Sequence, residues 1–105
     1  MKTIVSIPHH QYPSRVRATV ETKLQHLLKF YERIESLRAV LAREGDAHNV
    51  ELVASVGHGA TLVVEARRPQ LEAAIDEAVQ RMTRVLTRHK TKRSERRRKG
   101  GRIGH

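Results

Sequence analysis

Between residues 36 and 67 the apolar side chains alternate in three short runs split by glycine turns, and this stretch constrains the fold of the 105-residue chain more than any other. In residues 36–43, Leu37, Ala39 and Leu41 share one face; Gly45-Asp46-Ala47 then turns the chain. In residues 49–56, Val50, Leu52, Ala54 and Val56 share one face, with Glu51, Val53 and Ser55 opposite. Gly57-His58-Gly59 turns the chain again, and Leu62, Val64 and Ala66 point inward from residues 61–67. Period-two runs joined by short turns predict an antiparallel meander with one buried face.

The flanks follow a different period. Val16, Val20, Leu24, Leu27, Leu28, Tyr31 and Ile34 recur at three- and four-residue steps, which predicts an amphipathic helix with Ser14 as its N-cap. Leu71, Ile75, Ala78, Val79, Met82, Val85 and Leu86 predict a second helix, with Pro69 at its first position. Residues 2–7 alternate, are rich in β-branched side chains and read as a first strand. The order β-α-β-β-β-α predicts an α+β fold, a four-stranded sheet with both helices packed on one face. The other face is less polar than expected: Val40, Ala42, Val53 and Val63 lie outward beside Arg38, Glu51, Thr61, Glu65 and Arg67.

Charge is distributed unevenly. The net charge is +10, yet nine of the 21 Lys and Arg residues and only one of the 11 acids lie in residues 88–105. The body is nearly neutral and the end is a polycation, for which nucleic acid is the default partner. Arg81, Arg84, Arg88 and Lys92 follow one another at steps of three, four and four. They form a stripe rotated about 120° from the apolar face of the second helix. His89 and Lys90 are expected to widen it. One or two cations would satisfy the negative end of a helix dipole; a stripe that runs into a basic tail points instead to a polyanion. From Arg93 onward, basic residues, Gly100-Gly101 and Gly104 leave no face to bury, so residues 93–105 are expected to form a basic disordered tail behind a single domain of residues 1–92.

One Phe, two Tyr and no Trp leave the expected strands without an aromatic, so stacking of single-stranded bases on the sheet is excluded. Contacts from Arg and Lys to phosphates remain. The chain has no cysteine, and its seven histidines show no metal-binding spacing, so neither a metal nor another cofactor is expected. The histidines are expected to be scattered over the surface. No serine sits in a nucleophile elbow and no glycine-rich loop follows a strand, so the chain is read as non-enzymatic, without a small-molecule substrate. No apolar run reaches the length of a membrane span, and no signal peptide opens the chain; a cytoplasmic protein, monomeric when free and without a membrane partner, is expected.

Several segments are more specific. Val16-Arg17 through Val20, Lys23-Leu24, Leu27 and Phe30-Tyr31-Glu32-Arg33-Ile34 match the first helix of a known family. Val40-Leu41 and the start at His48 match its middle strands, and Ala73-Ala74-Ile75-Asp76 and Leu86-Thr87-Arg88-His89-Lys90-Thr91-Lys92 match its last helix. The chain resembles the ribosome hibernation-promoting factors, also called ribosome-associated inhibitors or sigma-54 modulation proteins, in their short form. It departs from them in having Gln70-Leu71-Glu72 where an acid, a methionine and a tyrosine are usual, Pro8-His9-His10 where a glycine is common, and His26 at a position often basic. The resemblance implies binding to ribosomal RNA in the small-subunit channel between head and body, across the messenger path and the A and P sites. Translation would stop, and idle ribosomes would be preserved under stress or in stationary phase. Carried over by position, the RNA contacts implied are Arg17, Lys23, Arg81, Arg84, Arg88, His89, Lys90 and Lys92. A generic double-stranded RNA- or DNA-binding module and a protein-interaction regulator stay open as alternatives.

Overall fold

Leu52 faces Ala39 on one side and Val64 on the other, and this row shows how the three alternating runs build a sheet. The computed structural model describes residues 2–7 and 12–103, with side chains for residues 3–7, 12–57 and 59–90. Strand β1 (Lys2–Ser6) is followed by helix α1 (Ser14–Phe30), strands β2 (Ile34–Glu44), β3 (Ala47–Val56) and β4 (Ala60–Arg68), and helix α2 (Leu71–Ile103). The sheet order is β1-β2-β3-β4; β1 is parallel to β2, and the other neighbours are antiparallel. Gly45 takes φ 61° in the tight turn between Glu44 and Ala47, a left-handed conformation that a glycine adopts without a steric penalty.

Both helices cover one face. Leu37, Ala39, Leu41, Val50, Leu52, Ala54 and Val56 are buried there against Val20, Leu24 and Leu27 of α1 and Ala74, Ile75, Ala78, Met82 and Leu86 of α2. Among the described residues no polar or charged side chain is buried in this core. The helices run parallel to each other: Val16 and Thr19 line a groove with Leu71 and Ile75, Lys23 meets Asp76, and Tyr31 meets His89. Among the described residues, no helix packs on the opposite sheet face. Its central row is Ile4, Arg38, Val53 and Val63, with Ile4 41% and Val63 55% exposed.

The boundaries depart from expectation in four places. Pro13, extended at φ −64° and ψ 158°, is the N-cap of α1, and Ser14 is already helical. The Val16 N–H donates to the Pro13 carbonyl at 3.0 Å, so the fixed φ of proline supplies the start that a serine hydroxyl was expected to give. Tyr31 and Ile34 continue the helical spacing, yet α1 ends at Phe30 and Ile34 opens β2, paired with Val56. Both are buried, so burial was legible and the element was not: a β-branched residue one turn beyond a helix suits either period. Helix α2 starts at Leu71, two residues after Pro69, with the Ala74 N–H donating to the Gln70 carbonyl at 3.1 Å. Finally, α2 runs to Ile103, past Arg93, where the reading of the sequence has a disordered tail. Residues 91–99 contain neither proline nor glycine and six of the nine are Lys or Arg, whose helix propensity carries α2 as far as Lys99 without an apolar face. The side chains of that extension lie outside the described residues.

Candidate nucleic-acid interface

The cations of α2 take their direction from its buried side. With Ala74, Ile75, Ala78, Met82 and Leu86 turned to the sheet, 100° per residue carries Arg81, Arg84 and Arg88 to the flank beside β4. There they line a groove with Val64, Glu65 and Val85. Arg84 and Arg88 are exposed, and no hydrogen bond or ion pair to the described residues engages either. Lys90 is also exposed, but lies on the flank facing α1.

Arg81 is differently placed. Its Nη1 donates to the main-chain carbonyl of Glu65 on β4, and its Nη2 donates to Glu77 Oε1 at 3.0 Å. Glu77 Oε2 lies 3.7 Å from Arg68 Nη1, so one carboxylate ties two arginines at the sheet edge. Lys23, Arg17 and His89 are also engaged within the protein. Lys23 Nζ lies 2.5 Å from Asp76 Oδ1 in the groove between the helices. Arg17 Nη1 donates to the Val5 carbonyl on β1, on the far side of α1 from Lys23. His89 is half-buried, its ring 6.1 Å from that of Tyr31 at an angle of 40°. It stands eighteen residues after Leu71, five whole turns, and therefore on the core side of α2 and not on the arginine stripe. The side chain of Lys92 lies outside the described residues. The structure thus spreads the seven expected residues with described side chains over three flanks and the core side of α2, and gathers Arg84 and Arg88, with Arg81 behind them, on one flank.

Two cations absent from the expected set join α2 at one end. Lys29 and Arg33 are exposed on either side of Tyr31, and the Tyr31–His89 contact brings them to the end where Arg88 and Lys90 stand. The Gly57 N–H fixes the turn that carries Arg33 by donating to its carbonyl at 3.1 Å. Both lie off the apolar stripe of α1 in the sequence, but only the parallel packing of the helices shows which end they share.

The histidines differ from the expected surface scatter. His26 is exposed, whereas His48 is half-buried and its Nδ1 lies 2.7 Å from the Tyr12 hydroxyl. Burial pushes the Tyr12 phenol above its ordinary value, with Arg43 pulling the other way. His9, His10, His105 and the side chain of His58 lie outside the described residues. Among the described residues no three His, Asp or Glu side chains gather as a metal site. No described helix is long and apolar enough to cross a membrane. Tyr31 is buried, and Phe30, 48% exposed, is the aromatic that the described surface offers most openly.

A four-stranded sheet backed by two parallel helices, one of them lined with arginines, defines a small α+β domain with a basic helix flank. The family model described as sigma 54 modulation protein / S30EA ribosomal protein matches residues 4–94, and the chain belongs to that family. A ribosome hibernation promoting factor of Azotobacter vinelandii is 32% identical over 94 residues, covering 88% of this chain and 87% of that protein. The protein of the same name from Salmonella typhimurium is 34% identical over 77 residues, covering 73% and 80%. Among solved structures, the Protein Y N-terminal domain of Thermus thermophilus superposes with a TM-score of 0.69 at 27% identity, over 84% of this chain and 94% of that one. A ribosomal subunit interface protein from Coxiella burnetii shares the fold, with a TM-score of 0.76 at 13% identity over 87% of this chain and 99% of that one.

Proposed function

We propose that this protein binds the ribosome and inhibits translation by occupancy, without catalysis, cofactor or small-molecule substrate. It enters the channel of the small subunit between head and body, where its folded body overlaps the messenger path and the A and P sites, and so preserves idle ribosomes under stress or in stationary phase. It acts in the cytoplasm and is monomeric when free. Residues 1–92 form the binding domain, and the basic residues 93–105 add affinity without adding address.

The observation that carries this reading is the pair Arg84 and Arg88. In a member of this family whose curated relatives are named ribosome hibernation promoting factors, both guanidinium groups stand exposed on one flank of α2, uncommitted among the described residues. Fixed in a groove beside β4, they suit the phosphates of ribosomal RNA. Sedimentation through sucrose gradients tests the proposal: the protein travels with small subunits at low salt, and excess tRNA displaces it. A protein that stays at the top of the gradient has some other role; one that co-sediments but ignores tRNA is a generic RNA binder.

A further inference from the structure

We infer that Arg81 is a positioning residue of this interface and not one of its phosphate contacts; the inference rests on the ribosome-binding reading above. Strand β4 is an edge of the sheet, so the carbonyls that point away from β3 have no strand to accept from. The Glu65 carbonyl is one of these, and Arg81 Nη1 donates to it. The second prong, Nη2, donates to Glu77 Oε1 at 3.0 Å, one turn earlier on the same helix. Glu77 also faces Arg68, near the end of β4, at 3.7 Å. One guanidinium therefore bridges the main chain of β4 and a carboxylate of α2, and the carboxylate reaches back to the strand. The helix is fastened at the turn just before Arg84.

Three consequences follow from that placement. The charge of Arg81 is matched by Glu77 before any polyanion arrives, so Arg81 has little counterion to release. Its two committed donors hold α2 against β4, which fixes where Arg84 and Arg88 stand in their shared groove. The bridge also needs a planar fork: lysine keeps the charge but cannot span a carbonyl and a carboxylate with the same geometry. A residue that serves through its shape and one that serves through its charge then part company under the Arg-to-Lys change.

The test uses Arg81→Gln, Arg81→Lys and Arg84→Gln in the full chain. Thermal unfolding is read on the free protein. Affinity for small ribosomal subunits is read against potassium chloride, at a temperature where every variant is folded. Arg84→Gln leaves the melting temperature unchanged and lowers the slope of log affinity against log salt by about 0.7–0.9, one phosphate contact. Arg81→Gln lowers the melting temperature by about 4–8 °C. It weakens binding roughly three- to ten-fold with the slope unchanged. Arg81→Lys behaves like Arg81→Gln. Rescue of both melting temperature and affinity by lysine, or a loss of slope in Arg81→Gln equal to that in Arg84→Gln, overturns the inference. A loss of melting temperature with affinity intact reduces Arg81 to a stabilising residue and overturns it equally. If the wild-type protein does not bind subunits, the ribosomal reading fails; the fastening is still decided by whether Arg81→Lys melts below Arg84→Gln.

Discussion

The ring of Tyr31 lies 6.1 Å from that of His89, and this contact joins the end of α1 to α2 at the rim of the core. Tyr31 is the C-cap residue of its helix, is 4% exposed, and its hydroxyl is buried without a hydrogen-bond partner among the described residues. The ring is therefore held by packing, and the hydroxyl contributes a desolvation cost. Tyr31→Phe is expected to leave the protein equally or more stable in urea, whereas Tyr31→Ala is expected to cost about 3–5 kcal/mol, as for a large aromatic taken from a core. A clear loss in the phenylalanine variant would show that the hydroxyl is satisfied.

Charge reversal of Arg84 and Arg88 to glutamate is expected to abolish sedimentation with small subunits at moderate salt. Both side chains are exposed and lie off the buried side of α2, so the melting temperature should move far less than in a core variant such as Leu24→Ala, for which about 2–5 kcal/mol is expected. Circular dichroism melts on the same samples separate lost binding from lost folding.

The Tyr12 hydroxyl is bonded to His48 Nδ1 at 2.7 Å, which ties the segment before α1 to the start of β3. Tyr12→Phe removes this link at an expected cost of about 1 kcal/mol. Because burial raises the Tyr12 pKa above 10.0, its contribution to stability is complete below pH 10 and is lost as pH climbs through the folded-state value. Urea titrations between pH 8 and 11 should show a decline in the wild type that is shallower in Tyr12→Phe.

Lys23 and Asp76 make an ion pair between the helices at 2.5 Å, with side chains 34% and 53% exposed. Solvent screens a pair so placed, and Asp76→Asn is expected to change stability by less than about 1 kcal/mol. The same change releases the Lys23 ammonium, so affinity for RNA should hold or rise, and the salt dependence should steepen. Weaker binding would mean that the pair orients α1.

The order of elements and the buried faces were legible because the chain keeps its periods cleanly: the alternation at Leu37, Leu52 and Val64 has no helical counterpart. Boundaries were not. Ile34 fits the stripe of α1 by spacing and belongs to β2 by pairing, and only the partner strand, remote in sequence, resolves it. The positions of the candidate side chains were legible in part. Arg84 and Arg88 could be read from helical arithmetic alone. The same arithmetic places His89 on the core line, but its basic neighbours Arg88 and Lys90 drew it into the charged set. For Arg81, Lys23 and Arg17 the sequence shows the charge and not the partner: Glu65, Asp76 and Val5 are 16, 53 and 12 residues away. Lys29 and Arg33 needed the direction of α1 relative to α2.

The register of β3 and β4 has a consequence for how the chain avoids misfolding. Glu51 faces Glu65 on the bare side of the sheet, while Leu52 and Val64 face each other beneath the helices. Were β4 to slip by one residue, Thr61, Val63, Glu65 and Arg67 would turn inward and Leu62, Val64 and Ala66 outward. A mispaired hairpin would have to carry a glutamate and an arginine under α2 in place of two apolar side chains. Two like charges side by side cost something in the correct pairing, but the same glutamates make the neighbouring wrong pairing far worse. The acids on the uncovered face thus act as proofreaders of strand alignment.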